Sequence, residues 1–174
     1  APDFALSDVH GENQNLQKQL GKIVVLEWTN PECPFVQKHY NSNNMQDLQQ
    51  KYTNLGIVWI TINSSAQGQS GYMTVEQAHD FAKQYNASPS TLLLDPQGVV
   101  GKLYGAKATP HMFIIDKKGV LVYQGAIDSI RSTHADDVKK ATNYVDQALT
   151  ELLNNKPIRI PETKPYGCSV KYKA

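Results

Sequence analysis

The segment Ile23-Val24-Val25-Leu26-Glu27-Trp28-Thr29-Asn30-Pro31-Glu32-Cys33-Pro34-Phe35-Val36-Gln37-Lys38-His39-Tyr40 is the most informative in the chain. Its start is a short apolar run, read as a buried strand over 22–28. Thr29 to Glu32 supply turn residues, and Pro34 suits the first helical position, where a missing N–H costs nothing. Cys33 therefore stands at a strand-to-helix junction. Backbone N–H groups converge there and the helix dipole favours negative charge, which stabilises thiolate, the nucleophilic form of sulfur. Thiol redox chemistry is the first expectation, against the alternative of an inert core cysteine.

Working outward, Asn41-Ser42-Asn43-Asn44 should interrupt the helix, because short polar side chains compete for backbone hydrogen bonds. Helical spacing resumes at Met45, Leu48, Tyr52 and Leu55 and stops at Gly56. Ile57–Ile62 is continuously apolar, as in a central strand covered on both faces. After a polar loop over 63–73, Thr74-Val75-Glu76-Gln77 has the form of a capping box and opens a helix through Tyr85. Thr91–Leu94 reads as a third strand stopped by Asp95-Pro96-Gln97-Gly98. Met112–Ile115 and Leu121–Tyr123 flank Asp116-Lys117-Lys118-Gly119 as a hairpin. A last helix is expected over 134–154, with Val138, Ala141, Val145, Ala148, Leu149 and Leu152 on one stripe. Before all this, Phe4-Ala5-Leu6 and Asn15-Leu16 bracket a hairpin-like N-terminal extension. Strands alternate with helices and a hairpin closes the series, so the fold class is α/β with a mixed sheet. The expected organisation is one domain over 1–155, extension included, and a tail over 156–174 that carries Cys168.

The chain has 174 residues, 40% of them apolar and 19% charged, with a formal net charge of +1. That describes a globular protein and gives no reason to expect a polyanionic partner. Of 17 basic residues only Arg131 and Arg159 are arginines, whereas phosphate and base recognition favour Arg forks, so nucleic-acid binding is not expected. The apolar runs are too short to span a membrane. Two cysteines are too few for a disulfide scaffold and lack zinc-site spacing. Cys33 and His39 do not share a helical face, so no metal is expected. Lys38, Lys164, Lys171 and Lys173 could lower the thiol pKa by proximity, but the plainer reading makes them surface charges. The opening Ala1-Pro2-Asp3-Phe4 lacks a leader, consistent with a removed export signal or a trimmed chain.

In this order of elements the chain resembles the thioredoxin fold. Glu27, six residues before Cys33, resembles the buried proton-handling acid of thioredoxins. Ala108-Thr109-Pro110-His111 through Asp116 resembles the segment that places a cis-proline opposite the active cysteine. Leu92–Gly98 and Pro2-Asp3-Phe4-Ala5-Leu6 resemble the peroxiredoxin-related redoxins, the alkyl hydroperoxide reductase and thiol-specific antioxidant group. Val36 stands where thioredoxins keep the second cysteine of Cys-x-x-Cys. Counting back from Cys33, Asn30 and Leu26 stand where peroxiredoxins carry Thr/Ser and Pro. The match is to a peroxiredoxin-like subgroup with one active-site cysteine and a C-terminal Gly-Cys motif, here Tyr166-Gly167-Cys168-Ser169-Val170-Lys171.

The resemblance implies a thiol–disulfide oxidoreductase with Cys33 as nucleophile, Cys168 on a flexible tail as resolving cysteine, and Glu27 as proton carrier. Thr109, Pro110 and Pro34 would bind substrate, and His111 could tune the thiolate or be a hydrogen-bonded strand residue. Substrates would be thiol or disulfide proteins or a hydroperoxide, with an external thiol reductant and no prosthetic group. Two alternatives stay open. One is a peroxiredoxin-like thiol peroxidase, disfavoured by Asn30 and by the lack of a placed arginine. The other is a non-catalytic binding module stapled by a Cys33–Cys168 disulfide, which would contribute on the order of 5 kcal/mol in the chain-entropy model. A stable disulfide fits an exported, periplasmic protein, with the cytoplasm as alternative.

Overall fold

The computed structural model describes residues 1–173. Its centre is a mixed five-stranded sheet of order β5-β4-β3-β7-β8. Strands β3 (Val24–Trp28), β4 (Val58–Asn63) and β5 (Thr91–Leu94) run parallel. Strand β7 (His111–Ile115) lies antiparallel against β3, and β8 (Leu121–Gly125) against β7. All five β3 side chains are buried, as a central strand covered on both faces requires.

Alternation along β3 sends Val24, Leu26 and Trp28 to one face and Val25 and Glu27 to the other. The first face packs with Phe4, Ile60, Ile62, Tyr104 and Phe113. The second packs with Val36, Tyr40, Met45, Trp59, Phe81 and Leu149. It is covered by α1 (Pro34–Asn41), α2 (Asn44–Asn54), α3 (Val75–Tyr85) and α5 (Tyr144–Leu153). The expected break between α1 and α2 is present, with Asn43 in the left-handed region at φ 62°. The Thr74/Gln77 capping box is formed on both sides. Strands β1 (Ala5–Ser7) and β2 (Asn13–Asn15) make the expected N-terminal hairpin.

Three expectations need correction. The last helix begins at Tyr144 rather than near 134, because Asn143 is extended and its side chain caps the helix by accepting the Asp146 amide at 2.9 Å. Residues 135–139 form a separate 3-10 turn, so Val138 and Ala141 lie off the helical stripe. A short helix, α4 (Val99–Tyr104), went unread beneath its glycines. Asp95 holds its first turn by accepting the amides of Val100 and Gly101. Finally, the tail is not a loose arm. Gln124 donates to Pro161 O, and Thr163 N–H returns to Gln124 O. Farther on, Cys168–Ser169 forms a short strand, β9, antiparallel to β6 (Ala108–Thr109).

Candidate active site

Cys33 lies just beyond the end of β3. Its N–H donates to Asn30 O at 3.1 Å, while Asn30 Oδ1 accepts the Glu32 amide at 2.8 Å. Cys33 is extended at φ −80° and ψ 123° and is the N-cap of α1, with Pro34 opening the helix. The thiol does not cap the helix; it points across to Thr109 O at 3.4 Å. The Thr109–Pro110 peptide bond is cis.

Thr109 is also the register partner of Cys168 across the β6/β9 pair. Gly167 makes that approach possible. Its φ is +134°, and a Cβ there would stand 2.0 Å from Thr109 O. Both cysteines are free thiols, and both meet the fold at Thr109: Cys33 through its Sγ and Cys168 as the strand partner. Cys33 is 2% exposed, whereas Cys168 is half-buried.

Burial pushes the Cys33 thiol up. The hydrogen bonds from Cys168 and Thr109 and the backbone amides of Val36 and Cys168 outweigh it and hold Cys33 below the ordinary thiol value. Cys168 is pushed up to about 11 by burial and by donating to the Cys33 sulfur, with Lys171 acting weakly in the opposite sense. The two thiols are thus shifted in opposite directions, Cys33 down and Cys168 up.

Glu27 is completely buried below this junction. It accepts four hydrogen bonds, from Tyr40 Oη (2.5 Å), Gln49 Nε2 (3.0 Å), Trp59 Nε1 (2.9 Å) and Thr61 Oγ1 (3.0 Å). Burial raises its carboxyl above the usual range, and the four donors offset part of that rise. Its hydrogen-bond partners among the described residues do not include either sulfur. His111 is a hydrogen-bonded strand residue: its Nδ1 accepts the Lys107 amide at 3.2 Å, and burial lowers its pKa to about 4.

Sequence reading missed a second polar cluster. Lys38, expected on the surface, is 2% exposed; its Nζ donates to Ile130 O at 2.9 Å and to Tyr166 Oη at 3.3 Å. His39 Nε2 lies 2.9 Å from Tyr166 Oη, and Tyr166 donates to Asp128 Oδ1 at 2.5 Å. Asn44 Nδ2 lies 2.9 Å from His39 Nδ1, which fixes the neutral tautomer with its proton on Nε2. Burial and neighbouring Lys38 lower the His39 pKa to about 3. The one available signal was the Lys38-His39 pair on α1; its partners come from residues 128 and 166, which no local pattern joins.

The family model for the AhpC/TSA family matches residues 1–124. The chain belongs to the AhpC/TSA family. It is thus a thiol-dependent oxidoreductase of thioredoxin-like fold, whose tail lies beyond the matched residues. It is 29% identical over 122 residues to the thioredoxin-like protein YneN of Bacillus subtilis, covering 70% of this chain and 66% of that protein. It is 26% identical over 142 residues to the thiol-disulfide oxidoreductase ResA of Bacillus thuringiensis, covering 82% of this chain and 76% of that one. Among solved structures, an uncharacterized conserved protein from Geobacillus kaustophilus superposes with a TM-score of 0.83 at 27% identity, covering 99% of this chain and 90% of that one.

Proposed function

We propose that this chain is a thiol–disulfide oxidoreductase in which Cys33 is the nucleophile and Cys168 the resolving cysteine. The observation that carries the reading is their convergence. Two cysteines from opposite ends of the fold converge on Thr109, beside its cis bond to Pro110: the Cys33 thiol, at the N-terminus of α1, reaches Thr109 O, and Cys168 is the strand partner of Thr109.

In the forward direction β9 lifts from β6 and uncovers Cys33. The Cys33 thiolate attacks one sulfur of a substrate disulfide; a mixed disulfide forms and the other substrate sulfur leaves as thiolate. Cys168, deprotonated as it attacks, displaces the remaining substrate thiolate from Cys33 and closes the Cys33–Cys168 bond. The substrate has then gained two electrons. Regeneration begins at Cys168, the more exposed sulfur: an external thiolate attacks it and Cys33 departs, then a second donor thiolate displaces Cys168 and leaves as the donor's disulfide. Cys33 is the better leaving group because its pKa is the lower of the two. Glu27, with its raised pKa, is the acid that holds or returns a proton, and Tyr40 and the buried amide and hydroxyl groups around it keep it in place. Thr109 and Pro110 give a substrate strand its backbone partner once β9 has left, and Pro34 shapes the helix start against which that strand lies.

Partners are disulfide-bearing or dithiol proteins and an external thiol donor. The compartment that suits a stable resting disulfide is an exported one. The low exposure of Cys33 favours a second reading, in which the bond is a permanent staple. Incubating Cys168→Ser with oxidised glutathione separates them. A glutathione adduct mapped to Cys33 by mass spectrometry supports the nucleophile; an unmodified Cys33 supports the staple. Rapid oxidation by hydrogen peroxide, followed by stopped flow, would instead mark a thiol peroxidase.

A further inference from the structure

Cys168 owes its place to what precedes it. Two residues upstream, Tyr166 is 7% exposed and packs its ring edge-on against Phe35 of α1, centroids 5.7 Å apart. Its hydroxyl uses its full hydrogen-bonding capacity: it accepts from His39 Nε2 and Lys38 Nζ and donates to Asp128 Oδ1. Phe35, Lys38 and His39 all lie on α1, the helix whose N-cap is Cys33. Gly167 follows with a conformation and clearance that admit no side chain. The tail is therefore fastened to the nucleophile's own helix one residue short of the place where Cys168 meets Cys33.

The anchor is also incomplete. Among the described residues, Asp128 Oδ2 is buried without a hydrogen-bond partner, 3.9 Å from His39 Nε2. Downstream of Cys168 the tail is held differently: Tyr172, half-buried, donates to Ala106 O on the opposite side of the sheet. The segment with the more deeply buried hold is the one before the cysteine.

We infer that Tyr166 is a positioning residue for the thiol–disulfide reaction, its hydroxyl clasped by Lys38, His39 and Asp128 so that Cys168 stays within bonding reach of Cys33 when β9 lifts. This rests on the resolving role proposed for Cys168. The clasp raises the effective concentration of one thiol at the other, which favours the intramolecular disulfide over mixed disulfides with small thiols.

The test equilibrates wild type and Tyr166→Phe, as full chains, with reduced and oxidised glutathione and reads the fraction carrying the Cys33–Cys168 bond. This constant compares two redox states of one folded chain, so a uniform loss of stability cancels. Tyr166→Phe keeps the ring and should lower the constant at least fivefold; a smaller change overturns the assignment. Should Tyr166→Phe not fold, Asp128→Asn is read in its place, with a fall of threefold or more expected and a smaller one overturning the inference. A wild-type chain that forms no such bond at any glutathione ratio sinks the resolving role itself and the clasp with it. A wild type that forms it, matched by the variant, sinks the clasp alone.

Discussion

Helix α1 is held through two buried carboxylates, and they are built in opposite ways. Glu27 reaches it through Tyr40, and both of its oxygens accept from neutral donors, with no cation among its four partners. Asp128 reaches it through Tyr166, His39 and Lys38; one oxygen is bonded and the other is left bare, with a buried lysine close by. The Glu27 side is drawn from α1, α2 and two central strands, all of them fixed parts of the scaffold. The Asp128 side includes a residue of the tail. A fully satisfied polar network rigidifies a core, and a partly satisfied one is where a structure gives way first. In the proposed mechanism the contrast separates the part of the molecule that stays shut from the part that opens.

The largest expected effect comes from breaking the closed side. Glu27→Leu leaves the donors of Tyr40, Gln49, Trp59 and Thr61 buried without their acceptor, and should cost on the order of 4 kcal/mol of stability by chemical denaturation. A loss near zero would show that the cage contributes nothing.

On the opening side, Gly167→Ala forces a methyl toward Thr109 O at a backbone angle that L residues rarely adopt. Stability should fall by about 2 kcal/mol or less, since β9 can detach. Alkylation of Cys33 should rise at least tenfold, because detachment removes its cover; an unchanged rate would contradict that cover.

Acid acts on two buried histidines. His39 and His111 are held neutral, with pKa values of about 3 and about 4 against an ordinary 6.5. The unfolded chain binds those protons first, so the stability they contribute is intact above about pH 6.5 and is lost as pH falls toward 4 and then 3. His39→Gln and His111→Gln should each flatten this acid limb in denaturation curves taken across pH, and a limb unchanged by both would refute the assignment. The smallest effect is local. Cys168→Ala removes a donor to the Cys33 sulfur and should move the Cys33 pKa upward, read from thiolate absorbance during a pH titration; a downward move would mean that burial by the tail outweighs its hydrogen bond.

Much of this was legible in the chain. The run from Ile23 to Tyr40 carried the strand, the junction and the proposed nucleophile's place at the helix start, because each is set by neighbouring residues: an apolar run, turn formers, then proline at the first helical position. Asn41–Asn44 and Thr74–Gln77 announced their break and cap for the same reason. Residues whose role depends on distant partners were not legible. Lys38 looked like a surface charge because Ile130 and Tyr166, which bury and bond it, are remote in sequence. Asn143 ended the apolar stripe as a cap, although Val138 and Ala141 kept the helical period. Helix α4 was obscured by Gly98, Gly101 and Gly105. Two of those glycines make room for Tyr172, whose ring would lie within 3 Å of a Cβ at Gly98 or Gly101. Cys168 could be suspected as a partner for Cys33, but the docking of its strand on Thr109 needed the fold.

The central question is whether the two sulfurs exchange electrons or merely tie the tail down. The reduction potential of the Cys33–Cys168 pair, measured against glutathione or dithiothreitol buffers, addresses this directly. A cycling pair should have a potential above about −300 mV, in the labile range. A potential well below that, with a bond that resists every physiological thiol, would make the bridge structural and contradict the mechanism.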